Sequence, residues 1–212
     1  MMWQAVFLSL QVSAVATICA LPLAIWVAHV LARKQFRGHG LLNGLVHLPL
    51  VLPPVVTGYL LLIVFGKQGA VGGFLYDWFG ITLAFRWTGA ALAAAIMGFP
   101  LMVRAIRLGF EAVDAGLEDA ARTLGASRAR VFGTVTLPLV MPAILAGAVL
   151  GFAKALGEFG ATITFVAAIP GQTQTIPSAI YGLLQVPNQE SDVIVLVSIS
   201  VALAMGALVA SE

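Results

Sequence analysis

Residues 110–138 read FEAVDAGLEDAARTLGASRARVFGTVTLP. Phe110, Val113, Leu117, Ala120, Ala121 and Leu124 recur at the i, i+3, i+4 spacing of one helix face. Glu111, Asp114, Glu118 and Arg122 fall on the other face. Glu118 stands four residues before Arg122, where opposite charges attract across one turn. The pattern predicts a short amphipathic helix outside any membrane. Gly125 follows where a helix commonly ends on a left-handed residue. Ser127 can cap a second short helix over about Arg128–Gly133. Pro138 suits the first turn of a further helix, where its missing N–H costs nothing.

Both flanks of this stretch are apolar. A helix needs about 20 mostly apolar residues to cross a bilayer. Runs at about 5–32, 41–65, 87–106, 138–156 and 193–211 meet that requirement. The expected fold is an all-α membrane protein of about five transmembrane helices, one domain over residues 1–212, with 111–134 as the loop between the third and fourth spans. Composition agrees. Of 212 residues, 60% are hydrophobic and 9% charged, against about 25% charged in a soluble domain. A mean hydropathy of +1.02 over the whole chain leaves too little polar material to cover a water-facing surface. Met1 to Gln4 carry no basic residue, and the first apolar run is too long for a signal segment, so it reads as a retained span.

Arg33, Lys34 and Arg37 follow the first run, and Arg104, Arg107, Arg122, Arg128 and Arg130 follow the third. Short loops rich in Lys and Arg stay cytoplasmic. The expected orientation therefore has the N-terminus outside and the C-terminus inside. Tyr76, Trp78 and Trp87 fall at the external ends of the second and third spans, where aromatic rings favour the interface. The stretch 159–189 holds Pro170, Gly171, Pro177, Gly182 and Pro187 among many Thr and Gln. It reads as a partly buried loop with a short helix near Pro177–Leu184; an extra span is the alternative. Glu212 ends the chain at the edge of the fifth run without a basic anchor, which reads as a truncated end.

Catalytic signals are sparse. No segment matches G-x-x-x-x-G-K-[ST], so the chain has no nucleotide-binding loop and ATP hydrolysis belongs to another subunit. The single cysteine, Cys19, excludes an intramolecular disulfide and a cysteine zinc cluster and reads as a packing residue. His29, His39 and His47 are too scattered for a metal site, and no cofactor is implied. An intramembrane enzyme lacks a nucleophile with its base at readable spacing.

The spacing Asp119-Ala120-Ala121, Gly125, then Val135-Thr136-Leu137-Pro138 resembles the EAA motif of ABC importer permeases, with Asp119 at the acidic position and Glu118 beside it. Residues 47–56, 76–82, 99–107, 156–165 and 176–181 look like the corresponding parts of molybdate permeases, so the resemblance covers nearly the whole chain. It implies that Glu118, Asp119, Ala120, Ala121, Arg122, Gly125, Arg128, Leu137 and Pro138 belong to a coupling helix and its exit, docked on a cytoplasmic ABC ATPase. It also implies a homodimer, two ATPase copies, a periplasmic molybdate-binding protein, transport by alternating access in a bacterial inner membrane, and no nucleic acid. Tungstate, sulfate and thiosulfate are alternative cargoes. A passive channel is a distant alternative, since it has no need to dock an ATPase.

A dianion needs a path without fixed negative charge. Pro53, Pro54, Thr57 and Gly58 read either as a broken segment that turns backbone dipoles toward a cavity or as a packing kink. Thr162, Thr164 and Ser178 either line the path or bond their own backbone. Glu158 repels an anion, and Lys154 one turn earlier neutralises it, so the two read as a structural pair or a gate. Arg104 and Arg107 are topology anchors or attract the departing anion.

Overall fold

A computed structural model describes residues 2–209. Among them there are helices and connections and no strand. In chain order the helices are α1 Met2–Arg33, α2 His39–Val51, α3 Pro54–Phe65, α4 Ala70–Phe79, α5 Trp87–Ala112, α6 Ala115–Thr123 and α7 Arg128–Val131. A π-helical turn, Phe132–Thr136, joins α7 to α8, Leu137–Leu156. Then come α9 Gly160–Val166, α10 Ile176–Leu183 and α11 Glu190–Val209.

The centre of the molecule is α5, held between α1 and α8. Their contact surfaces are built from small residues. Ala16, Ala20, Ala24 and Ala28 form a buried stripe on α1, each one turn from the next. On α5, Ala90, Ala91, Ala93 and Ala94 form a buried cluster of small residues within little more than one turn. On α8, Gly147 and Gly151 lie against Met102 and Ile106 of α5. Water drives no association between helices in lipid. Close van der Waals approach does, and small side chains permit it. Large side chains point away: Trp3, Phe7, Ile18 and Trp26 of α1 are exposed.

Four stretches, Met2–Arg33, Trp87–Ala112, Arg128–Leu156 and Glu190–Ala207, are long and apolar enough to cross a membrane. The run expected as one span over 41–65 is two helices, α2 and α3, meeting at 113°. The cause is local. Leu52 precedes a proline and is extended at φ −72°, ψ 143°, because the proline ring excludes the helical conformation there. Pro53 and Pro54 supply no N–H to carry the ladder across, and Pro54 begins α3 instead.

Other boundaries also move. Helix α5 runs on to Ala112, past the expected end at 106. The amphipathic helix is correspondingly shorter, and Asp114 caps it by accepting from the Gly116 N–H at 2.8 Å. Helix α8 begins beside the expected Pro138, but it continues from the helix before it. Arg128–Leu156 is one rod, because the wide turn at Phe132–Thr136 absorbs the proline's missing donor. In 159–189 the expected helix is present as α10, and α9 is an additional one; neither has spanning length. The stretch 66–86, read as a connection, contains α4, which ends on Gly80 at φ +66°. Helix α11 packs on α10 and α8, buries Leu196 in a cluster with residues of α1 and α10, and is otherwise largely exposed. The expected end of that run at Ser211, and Glu212 after it, lie outside the described residues. Cys19 is exposed rather than packed.

Candidate functional site

Two places concentrate the residues singled out by sequence. The first is α6 with the turn after it. Gly125 takes φ +84°, and its N–H donates to Arg122 O at 2.9 Å, while Ala126 N–H donates to Ala121 O at 3.1 Å. These bonds close the helix as expected of a glycine there. Ser127 then caps α7, accepting from Arg130 N–H at 3.4 Å.

Phe110 and Val113 are buried and Glu111, Asp114 and Arg122 exposed as expected, but within α6 the pattern is inverted at the leucines and at Glu118. Leu117 and Leu124, on the side expected to pack, are 51% and 88% exposed. Ala120 and Asp119 are exposed with them. The acid Glu118, expected outside, is 9% exposed. Its Oε1 accepts from Arg33 Nη2 at 3.0 Å and from Thr136 Oγ1 at 2.7 Å, and its Oε2 lies 3.4 Å from Arg122 Nη2. Arg122 makes a shorter bond, 2.6 Å, to the exposed Asp119. A carboxylate can be buried when it is paired this fully, and stranding it costs roughly 1–3 kcal/mol or more. Arg33 ends α1, and Thr136 ends the π-helical turn. Directly beneath, the His29 ring of α1 packs edge-on to Phe110 and Phe132, at 5.0 and 5.3 Å between centroids. The sequence reading missed Arg33 and Thr136 as partners of Glu118. Arg33 carries a signal for topology only, and its partner lies 85 positions away.

The second place is where the broken run α2–α3 meets α9. Helices α3 and α9 pack backbone to backbone at Gly58, where an added Cβ would fall 2.5 Å from Ala161 O. Gly160 lies against Pro54. Pro54 and Gly58, one residue after Thr57, therefore meet the face of α9 that carries Gly160, Ala161 and Thr164, with Pro53 at the break, whereas Thr162 falls on another face of α9. The hydroxyls of α9 are spent locally: Thr162 donates to Phe159 O and Thr164 to Gly160 O, both at 2.9 Å. Thr57 differs. Its residue is 6% exposed, and its Oγ1 has no hydrogen-bond partner among the described residues.

Lys154 Nζ donates to Glu158 Oε2 at 2.8 Å, and Glu158 is 2% exposed. The other carboxylate oxygen accepts from Ala161 N–H at 2.9 Å, so the pair also caps the start of α9. Ser178 is apart from this group. It donates to Thr175 O at 2.9 Å in α10, which is tied to α1 by the Ile176 N–H donating to Ser9 Oγ at 2.7 Å. Arg107 bonds Glu111 at 2.7 Å and Asn43 of α2 at 3.3 Å; with Arg104 and His47 they line a shallow pocket.

Known proteins resemble the chain closely. A family model described as "Binding-protein-dependent transport system inner membrane component" matches residues 20–211. The molybdenum transport system permease protein ModB of Escherichia coli (strain K12) is 62% identical over 210 residues, spanning 99% of this chain and 92% of that one. The protein of the same name from Haemophilus influenzae is 55% identical over 208 residues, 98% of this chain and 91% of that one. Among solved structures, the inward-facing MetNI methionine ABC transporter matches with a TM-score of 0.72 at 14% identity, over 99% of this chain and 90% of that chain. At that identity the likeness is one of fold.

Proposed function

Since the chain belongs to the family of binding-protein-dependent transport system inner membrane components, we propose that it is the membrane-spanning permease of an ATP-driven importer whose cargo is molybdate. It is an inner-membrane protein that crosses the bilayer several times. The ATPase is a separate subunit, bound on the cytoplasmic side in two copies by two copies of this chain, and a periplasmic molybdate-binding protein delivers the anion. The distribution of Lys and Arg supports an outside N-terminus and an inside C-terminus. Identity of 62% to a molybdenum permease over nearly the whole chain supports the cargo.

The observation that carries the reading is the reversed helix α6. A short helix that buries its acid and exposes Leu117, Ala120 and Leu124 leaves an apolar patch in water. Such a face suits a partner's cleft and has no use in a passive channel. Asp119, Ala120, Ala121 and Arg122 line the docking side, Gly125 sets the angle at which the chain leaves it, and Arg128 follows on α7. Leu137 and Pro138 carry the displacement into α8 through the π-helical turn. In the path itself, Pro53, Pro54, Thr57, Thr162 and Thr164 form the constriction where α3 crosses α9, and Lys154 with Glu158 holds α9 in place as its gate. Ser178 belongs to the path through α10. ATP binding closes the ATPase pair and opens the path outward, and hydrolysis resets it.

The test is uptake of labelled oxyanions into proteoliposomes holding the permease, its ATPase and its binding protein. ATP-dependent accumulation of molybdate in excess of sulfate is expected. Equal or greater sulfate uptake contradicts the cargo, and uptake without ATP contradicts the importer.

A further inference from the structure

Glu118 sits in the middle of the docking helix yet faces away from the docking side. It reaches α1 through Arg33 Nη2 at 3.0 Å and the π-helical turn through Thr136 Oγ1 at 2.7 Å. The same two elements grip each other one turn further along, where His29 packs on Phe132 at 5.3 Å and Phe110 of α5 closes the group. His29 and Arg33 stand four apart on α1, and Phe132 and Thr136 stand four apart on the other element. Two rungs, one aromatic and one ionic, thus link α1 to the segment that opens α8. Only the ionic rung includes α6. Apart from it, α6 is held by its short connections and by packing on α7 and the π-helical turn.

We infer that Glu118 is a positioning residue that fastens the ATPase-facing helix to α1 and α8 together, so that one displacement of α6 moves both. The inference rests on the docking role proposed for α6. It moves Glu118 out of the set of residues that touch the ATPase and adds Arg33 and Thr136 to the coupling machinery. The physical basis is stiffness. A carboxylate bonded to two separate elements in a low-dielectric site resists sliding in any direction, whereas apolar contacts alone let a nine-residue helix roll. The π-helical turn supplies the give. Its wide register lies between the anchored Thr136 and the α7 end, and π-helical turns of this kind recur at functional sites within helices. A single-pronged Arg33 bond, with Nε left free of partners among the described residues, fits a joint that must re-form on each cycle.

The experiment uses the whole complex in proteoliposomes and reads two quantities: ATPase retained on the permease, and anions imported per ATP hydrolysed. Glu118→Gln and Arg33→Met are expected to retain ATPase at wild-type level and to lower import per ATP about tenfold, a coupling loss of ordinary size for such networks. The double variant should be no worse than either single one, since both remove the same link. Arg33→Lys keeps the charge and should restore most of the coupling. Thr136→Val tests the second bond and should fall between these and wild type. If Glu118→Gln loses ATPase while the remaining complexes import normally per ATP, Glu118 is a docking contact and the inference is wrong. If import per ATP is unchanged in Glu118→Gln and Arg33→Met, the network is only structural and the inference is also wrong. If the wild-type permease itself fails to hold the ATPase, the proposed function fails before the inference is reached.

Discussion

The α6 loop and the crossing of α3 with α9 are opposites in how they place polar and apolar groups. At α6 the acid is inside, satisfied by Arg33 and Thr136, and the leucines are outside. At the crossing everything is turned inward: Gly58 meets the Ala161 backbone, and the threonines of α9 bond their own carbonyls. The first arrangement is incomplete without a partner. The second is closed by its own contacts, save for the unpartnered Thr57 hydroxyl, and under the proposed function it must come apart to pass an anion. An importer working as proposed needs both, a surface that waits for its motor and a constriction that is stable when shut. The Lys154–Glu158 pair shows the same economy. It neutralises an acid in an apolar setting and caps α9 with the same carboxylate.

Substitutions can break this contrast from either side. The largest effect is expected at Gly125. A proline there cannot adopt φ +84° and removes the N–H that bonds Arg122 O at 2.9 Å, a local cost of about 3 kcal/mol or more. Gly125→Pro should abolish co-purification of the ATPase while the chain still inserts in the membrane; retention of a transporting complex would contradict the docking role. Next comes Gly58→Val. Its side chain must displace Ala161, and overpacking of this kind costs roughly 1–3 kcal/mol. Thermal unfolding in detergent should show that loss, and uptake should fall while ATPase binding stays. Normal uptake would show that the crossing is not the constriction. The smallest effect sharpens the comparison most. Thr57→Val removes a buried hydroxyl without a partner, so stability should hold or rise by about 1 kcal/mol. If Thr57 serves the anion, uptake falls even as stability rises. Unchanged uptake would leave Thr57 as a packing residue.

Much of this was legible before any coordinates. The glycine turn at Gly125, the Ser127 cap and the Lys154–Glu158 pair are local, within a turn or two of chain, and local patterns determine them. The break at Pro53–Pro54 was signalled, but an apolar run reports total hydropathy and not direction, so two helices at 113° look like one span. The start of α8 at Leu137 agrees with the helix start that Pro138 signals, but the π-helical turn that joins it to α7 in one rod leaves no periodic trace. Helix α9 escaped because its cap is the Glu158 side chain, working from outside the helix. The orientation of α6 was beyond reach. Helical spacing puts leucines in and acids out, and only the distant Arg33 and Thr136 reverse that preference.

The central claim is that the exposed face of α6 receives the ATPase, and thiol labelling tests it most directly. With Cys19 replaced by Ser, single cysteines at Leu117, Leu124 and, as a control on α4, Trp78 are exposed in the free permease. The maleimide labelling rates should drop sharply at 117 and 124 when the ATPase is bound and stay constant at 78. Unchanged rates at both α6 positions in a complex that hydrolyses ATP and imports molybdate would contradict the account.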